Sequence, residues 1–97
     1  MAQIIQHQNI LYFSGNLLIN NISETLLQLQ SLQLSAPLVL DFSKVQAVDT
    51  VAVSLVLEIQ RRMDKEHPDA IQVSIVGVPE NLRSLMQVYG VDQFLLN

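Results

Sequence analysis

The chain has 97 residues, of which 49% are hydrophobic and 14% charged, with a formal net charge of −4 at pH 7 and no cysteine. This length fits one domain with a modest core, and the lack of cysteine excludes disulfides and thiolate sites. Because no basic run is present, nucleic acid and acidic membrane surfaces are poor partners. This high apolar content favours an exposed apolar patch, a feature that often marks a partner site. The alternative interpretation is a small, densely packed core.

The N-terminal third predicts a β-hairpin followed by a helix. Residues 3–6 and 10–14 are the strand candidates, residues 7–9 form a polar turn between them, and Gly15 is expected to end the second strand. Asn21 is expected to cap the helix, with Glu24 reaching back to it. The apolar stripe of this helix consists of Ile22, Leu26, Leu29 and Leu32.

The central stretch predicts a buried strand and a long helix. Residues 38–40 are an apolar run closed by Asp41, Phe42 and Ser43, which is typical of a strand buried on both faces. After a short connection over residues 44–48, Asp49 is a good N-cap and Thr50 opens the helix. One helical face carries Ala52, Leu55, Val56, Ile59 and Met63.

The C-terminal third predicts one more strand and one more helix. Glu66 to Asp69 stops the long helix, and Ile71, Val73 and Ile75 alternate with polar residues as in a half-buried strand that Gly77 ends. Pro79 suits the first turn of the last helix, and Gly90 suits its C′ position. The buried stripe of this helix is expected to be Leu82, Leu85, Met86 and Tyr89. Residues 91–96 form an apolar tail that could pack on the core or reach a partner.

The resulting order is β-β-α-β-α-β-α, which predicts an α/β fold with a mixed central sheet packed with helices. Passages between parallel neighbouring strands should cross over right-handedly. No secretory signal and no apolar stretch of spanning length is visible.

The central residues resemble the STAS domain of anti-sigma factor antagonists and sulfate transporters. The shared features are a buried strand ending Leu-Asp-Phe-Ser, a Val in the connection and an Asp-Ser or Asp-Thr pair opening a helix, here Asp49 and Thr50. In the antagonists the hydroxyl residue of this pair is the regulatory phosphorylation site. The family usually continues with a small residue, Gly and Leu, where this chain has Val51, Ala52 and Val53.

Two further stretches extend the resemblance over residues 1–97, which are therefore expected to form a single STAS domain. Residues 13–17 resemble the family's second strand with its Ser-Gly turn, and residues 77–82 with 89–91 resemble its last strand–helix unit. The Asp-Thr pair and the last helix are most similar to the small stand-alone STAS subunits of the MlaB type, which belong to phospholipid-transport (Mla) ABC complexes.

Residues that could support catalysis or metal binding are scattered along the chain. His7 and His67 have no second ligand at metal spacing, Ser54 and Ser84 have no positioned base, and no Gly-rich phosphate loop is present. Asp41 and Asp49 flank one connection, but the better interpretation is a strand end and a helix cap. We therefore expect no enzyme activity, no cofactor and no metal.

The predicted partner-binding or regulatory face is centred on Thr50. On a helix that begins there, one side carries Thr50, Val53, Ser54, Leu57 and Arg61, with Asp49 at its start. Val53 and Leu57 lie beside the core stripe and have no evident core role. Either they contact a partner, as the resemblance implies, or they pack against the C-terminal helix.

The resemblance implies a non-enzymatic accessory subunit that binds the cytoplasmic ATPase of an Mla-type ABC complex and helps to maintain outer-membrane lipid asymmetry. Such a protein would be cytoplasmic and peripheral to the inner membrane through its partner complex, without inserting into the membrane. The alternative is an anti-sigma factor antagonist regulated by phosphorylation of Thr50; a small ligand-binding module is a more distant third. The missing Gly and the Thr in place of Ser favour the transport subunit.

Overall fold

The computed structural model describes residues 3–34, 37–66 and 73–90. Their elements follow the predicted order β-β-α-β-α-β-α, which confirms the fold expected from the sequence. The strands and helices are β1 (Gln3–His7), β2 (Ile10–Leu17), α1 (Ile22–Gln30), β3 (Leu38–Val48), α2 (Val51–Glu66), β4 (Val73–Val76) and α3 (Glu80–Val88). The predicted apolar tail at 91–96, residues 67–69 of the predicted helix stop and Ile71 of the predicted strand lie outside the described residues.

The four strands form one mixed sheet in the order β1-β2-β3-β4. The hairpin β1–β2 is antiparallel, whereas β2–β3 and β3–β4 are parallel. The connections through α1 and α2 step in the same direction across the sheet, so right-handed crossovers place both helices on one face. Helices and strands contribute to one apolar core, and its largest fully buried side chains include Leu11, Phe13, Leu40, Phe42, Ile59, Ile75, Leu82 and Met86.

Strand β3 is much longer than the sequence predicted. Its second half was missed because two irregularities interrupt the alternation of buried and exposed residues. The pairing with β2 shifts between Tyr12 and Ser14 and again between Gly15 and Asn16, and each shift adds an extra residue to β3. Burial therefore passes from Phe42 to Val45 instead of alternating. The expected connection over residues 44–48 is wrong for this reason, since those residues are the second half of the strand.

Gly15 and Asn21 also differ from expectation. Gly15 adopts a positive φ of 85°, but it lies inside β2 at the second irregularity and does not end the strand. Asn21 precedes α1 without capping it. Its side chain instead accepts a hydrogen bond from the Leu18 N–H (2.9 Å) and donates one to the Asn16 carbonyl (2.7 Å), which fixes the loop between β2 and α1.

Arg62 of α2 connects α2 to α1 by hydrogen bonds, and its side chain is largely buried. Its guanidinium donates to the carbonyl oxygens of Leu29 (2.8 Å) and Leu32 at the end of α1, and its Nε donates to Glu66 (2.7 Å). The last carbonyls of a helix lack partners within it, so a cation there is favourable. Arg62 thus connects the C-terminal end of α1 to α2.

The turn after β4 depends on Gly77, because the backbone there passes close to β3. Gly77 has a φ of +67°, and a Cβ added to it would lie 2.8 Å from the Ser43 Cβ and 2.8 Å from the Ser43 nitrogen. Gly90, which follows α3, has a similar φ of +72°, but a Cβ there would meet nothing within 4 Å. The two glycines share a strained backbone angle and differ in free space.

Gly77→Ala should therefore destabilise the protein more than Gly90→Ala. A positive φ costs an Ala residue about 1–2 kcal/mol at either site, whereas only Gly77→Ala adds a clash with backbone, for a total loss of about 3 kcal/mol or more. Urea unfolding of both variants beside the parent measures the difference. Equal losses would contradict the close approach between Gly77 and Ser43.

Candidate partner-binding site

The site begins with Asp49, which joins three parts of the fold. One carboxylate oxygen, Oδ1, accepts a hydrogen bond from the Val51 N–H (3.0 Å) at the start of α2, as the predicted N-cap role requires. The other, Oδ2, accepts from the Ile19 N–H (3.0 Å) in the loop between β2 and α1. The Asp49 N–H donates to the Leu17 carbonyl (3.2 Å). Asp49 therefore holds the loop, the end of β3 and the start of α2 together.

Thr50 lies exposed immediately before α2 begins at Val51, one residue later than predicted. Its carbonyl accepts the Val53 N–H (3.1 Å), so its backbone belongs to the first turn. The first turn of α2 has no acidic residue. The negative charge at the positive end of the helix dipole therefore comes from Asp49, the residue before Thr50.

Thr50 borders a groove between α2 and the end of α3 whose lining combines apolar side chains with the hydroxyl groups of Thr50, Ser54 and Tyr89. This groove has a volume of about 220 Å³, and it is lined by Thr50, Val51, Val53, Ser54, Leu57 and Tyr89. Four of the predicted site residues, Thr50, Val53, Ser54 and Leu57, are thus brought together. None of the lining side chains is charged. We call this the α2–α3 groove.

Val53 and Leu57 have different roles, although the sequence analysis predicted the same role for both. Val53 is only 3% exposed and belongs to the core, so the expectation that it lacks a core role is wrong. Leu57, one turn later, is 39% exposed. Val53 therefore forms the base of the α2–α3 groove, and Leu57 is the member that a partner could cover.

Arg61 does not join the groove. Its side chain is 73% exposed and pairs with Glu58 on the same helix at 2.5 Å. Eleven residues separate it from Thr50, which corresponds to about 16 Å of helix. An exposed ion pair of this kind contributes little stability. Arg61 therefore lies on the predicted face but far from the groove at Thr50.

A second groove lies on the other side of the Thr50 face, between α1 and α2. Its volume is about 300 Å³, and its lining comprises Ile22, Leu26, Leu29, Gln30, Val51, Ser54, Leu55, Glu58 and Arg62. Val51 and Ser54 line both grooves. They form a ridge that begins next to Thr50, with apolar surface on either side.

Sequence reasoning missed two exposed residues of this region, Tyr89 and Ile19. Tyr89 was assigned to a buried stripe, but α3 ends at Val88, and Tyr89 is 57% exposed at the mouth of the α2–α3 groove. The adjacent Gly90, a helix-ending residue, is the signal that could have corrected it. Ile19 is 74% exposed and carries no sequence signal of its own, since only the three-dimensional contact with Asp49 connects it to Thr50.

Other chemistry is not assembled in the described part of the chain. Asp41 accepts hydrogen bonds from the N–H (2.9 Å) and hydroxyl (2.6 Å) of Ser43, a local turn-like arrangement. Within residues 3–34, 37–66 and 73–90, no three His, Asp or Glu side chains are grouped closely enough to hold a metal ion. Among the helices of those residues, none has the length and hydropathy needed to cross a bilayer.

Comparison with known proteins identifies the family of this chain. A family model described as Mlab, STAS domain matches residues 2–97. The chain belongs to the STAS family and is of the MlaB type. No curated protein matches the sequence at a significant level.

Two solved structures are similar to this STAS domain. The unphosphorylated anti-sigma factor antagonist SpoIIAA matches with a TM-score of 0.75 and 14% identity, over 99% of this chain and 86% of that chain. This likeness establishes the fold. A DUF3478-family protein with a SpoIIAA-like fold from Shewanella loihica covers 93% of this chain and 76% of its own at 17% identity; its TM-score of 0.41 is too low to support an argument.

The differing burial of Val53 and Thr50 predicts different effects on stability. Val53→Ala should lower the free energy of unfolding by about 1–3 kcal/mol, because it removes buried methyl groups from the core. Thr50→Ala, at an exposed position, should change it by about 0.5 kcal/mol or less. Urea denaturation measures both values, and a Thr50→Ala loss as large as that of Val53→Ala would mean that Thr50 is structural.

Proposed function

We propose that this chain, as a single STAS domain, is a non-enzymatic accessory subunit of a phospholipid-transport ABC complex of the Mla type. It binds the cytoplasmic ATPase subunit through the face around Thr50 and supports assembly or activity of the complex. By this role it contributes to outer-membrane lipid asymmetry. The protein would lie in the cytoplasm, held at the inner membrane by its partner.

The observation that carries the proposal is an exposed hydroxyl on an apolar surface in a domain of the MlaB type. Thr50 borders a groove whose exposed lining includes Leu57 and Tyr89 and has no charged side chain. Burial of such apolar surface favours stable association, and its strength depends little on salt. A constitutive protein–protein contact fits this surface better than a charged ligand does.

An anti-sigma factor antagonist is the second candidate, and one observation favours it. Thr50 follows Asp49 at the position that antagonists phosphorylate, and its side chain is accessible at a helix start. Under that function the partner would be a protein kinase and the contact would be reversible. Neighbouring genes separate the two candidates, since an ABC ATPase and permease indicate transport, whereas a serine kinase and a sigma factor indicate the antagonist.

The first prediction from this proposal concerns the complex itself. Co-expressed with the ATPase subunit from the same organism, the chain should co-purify with it and stay bound through a wash at about 1 M salt, where charge interactions are screened beyond about 3 Å. Elution by salt alone would contradict an apolar contact. A stable complex with an anti-sigma kinase and none with the ATPase would replace the transport role with the antagonist role.

The second prediction concerns charge at Thr50. Thr50→Glu should fold, because Thr50 is exposed and the helix dipole attracts a negative group there by about 0.3–1 kcal/mol, which offsets repulsion from the adjacent Asp49 carboxylate. It should nevertheless weaken ATPase binding by at least about a hundredfold, since an unpaired charge buried in the contact costs several kcal/mol. Calorimetric titration measures binding, and thermal melting checks the fold.

Gln3→Glu is the matched control for that variant. Gln3 is exposed on β1, and its neighbour Ile4 packs against the core, so the Gln3 side chain points to the opposite face of the sheet from the helices. Gln3→Glu adds the same charge as Thr50→Glu and should leave the affinity for the ATPase unchanged. If Thr50→Glu melts like the parent and binds as tightly, the Thr50 face is not the binding surface.

A further inference from the structure

The loop between β2 and α1 carries a large exposed apolar residue, Ile19, whose backbone is bonded to Asp49, the residue before Thr50. Ile19 is 74% exposed, more than most large hydrophobic residues of the described chain. Its backbone is nevertheless held firmly, because its N–H donates to Asp49 and the adjacent Leu18 N–H donates to Asn21. A residue whose backbone is already held in place loses little backbone freedom when a partner covers its side chain.

The Asp49 carboxylate accepts one more hydrogen bond than helix capping requires. Its Oδ1 already satisfies the first turn of α2 through Val51, so the bond from Oδ2 to Ile19 at 3.0 Å serves the loop. A Ser at this position could cap the helix equally well with its one oxygen. The second oxygen is what a carboxylate adds, and it determines where Ile19 lies relative to Thr50.

We propose that Asp49 is a positioning residue that presents Ile19 to the partner, so that the contact surface continues from the α2–α3 groove across Thr50 onto the β2–α1 loop. The inference rests on the proposed function above. Its occupant is the ATPase subunit, and the matching region of that subunit is apolar where it meets Ile19, Leu57 and Tyr89. Thr50 then lies between two apolar contacts and is excluded from water when the complex forms.

The experiment is a double-mutant cycle on ATPase binding, measured by calorimetric titration with the purified ATPase subunit. Ile19→Ser should raise Kd by about tenfold or more, as expected for loss of an apolar contact near the centre of an interface. Leu27→Ser is the control, because Leu27 is a similarly exposed apolar residue (66%) on α1 that lines neither groove. This control should change Kd by about twofold or less.

Asp49→Ser tests whether Asp49 acts through Ile19. This variant keeps a capping oxygen for Val51 and lacks the second acceptor, so it should raise Kd in the parent by about fivefold or more and have a much smaller effect in the Ile19→Ser background. Equal effects of Asp49→Ser in both backgrounds would overturn the positioning role. If Asp49→Ser fails to fold, Ile19→Ser still tests the surface, since that side chain is exposed.

The outcomes separate this inference from the proposed function. If the parent chain does not bind the ATPase subunit, the proposed function fails and the inference falls with it. If the parent binds and Thr50→Glu abolishes binding, but Ile19→Ser binds like the parent, the function stands and the extension to Ile19 is wrong. Strong loss with Ile19→Ser, no loss with Leu27→Ser and coupling to Asp49 together support it.

Discussion

The structure around the candidate site depends on the carboxylate of Asp49. Two backbone N–H groups from distant parts of the chain, those of Val51 and Ile19, donate to its two oxygens at 3.0 Å. Hydrogen bonds to a charged acceptor contribute about twice as much as neutral ones. Through them the end of β3, the first turn of α2 and the β2–α1 loop have one fixed arrangement, and Thr50 lies between the last two.

The same constraint explains why apolar side chains remain exposed here. The loop and the helix start are fixed by backbone hydrogen bonds, so Ile19 and Leu57 are not needed to hold them in place by packing. Val53 and Leu55 of the same helix are buried and belong to the core. The buried and the exposed apolar residues of α2 are therefore different residues, and an exposed one such as Leu57 can change with little loss of stability.

The sequence predicted the fold because the core pattern follows simple periods. The buried stripe of α2 is confirmed at Ala52, Leu55, Val56, Ile59 and Met63. The sequence pattern did not predict the length of β3, because each extra residue reverses the alternation of buried and exposed side chains on which strand prediction depends. A strand with two such irregularities looks like a short strand followed by a loop.

The site was predictable only as far as it follows helical spacing. Thr50, Ser54 and Leu57 share a face by period alone, and the structure groups them in one groove. The burial of Val53 was not predicted, because it depends on how α2 packs in the core and not on the sequence of α2 alone. Ile19 and Tyr89 come from other elements, and only the register of the sheet and the end of α3 bring them near.

A negative group on Thr50 would act on this arrangement at two points. A phosphate carries about −1.5 to −2 charges, and it would stand next to the Asp49 carboxylate, which already accepts the Val51 N–H that the phosphate would seek at the helix start. Competition for that donor, together with like-charge repulsion, would weaken the hold of Asp49 on Ile19. Modification would then alter the loop as well as the groove. The Asp-Thr pair therefore places the carboxylate that holds the β2–α1 loop directly beside the residue whose negative charge would weaken that hold.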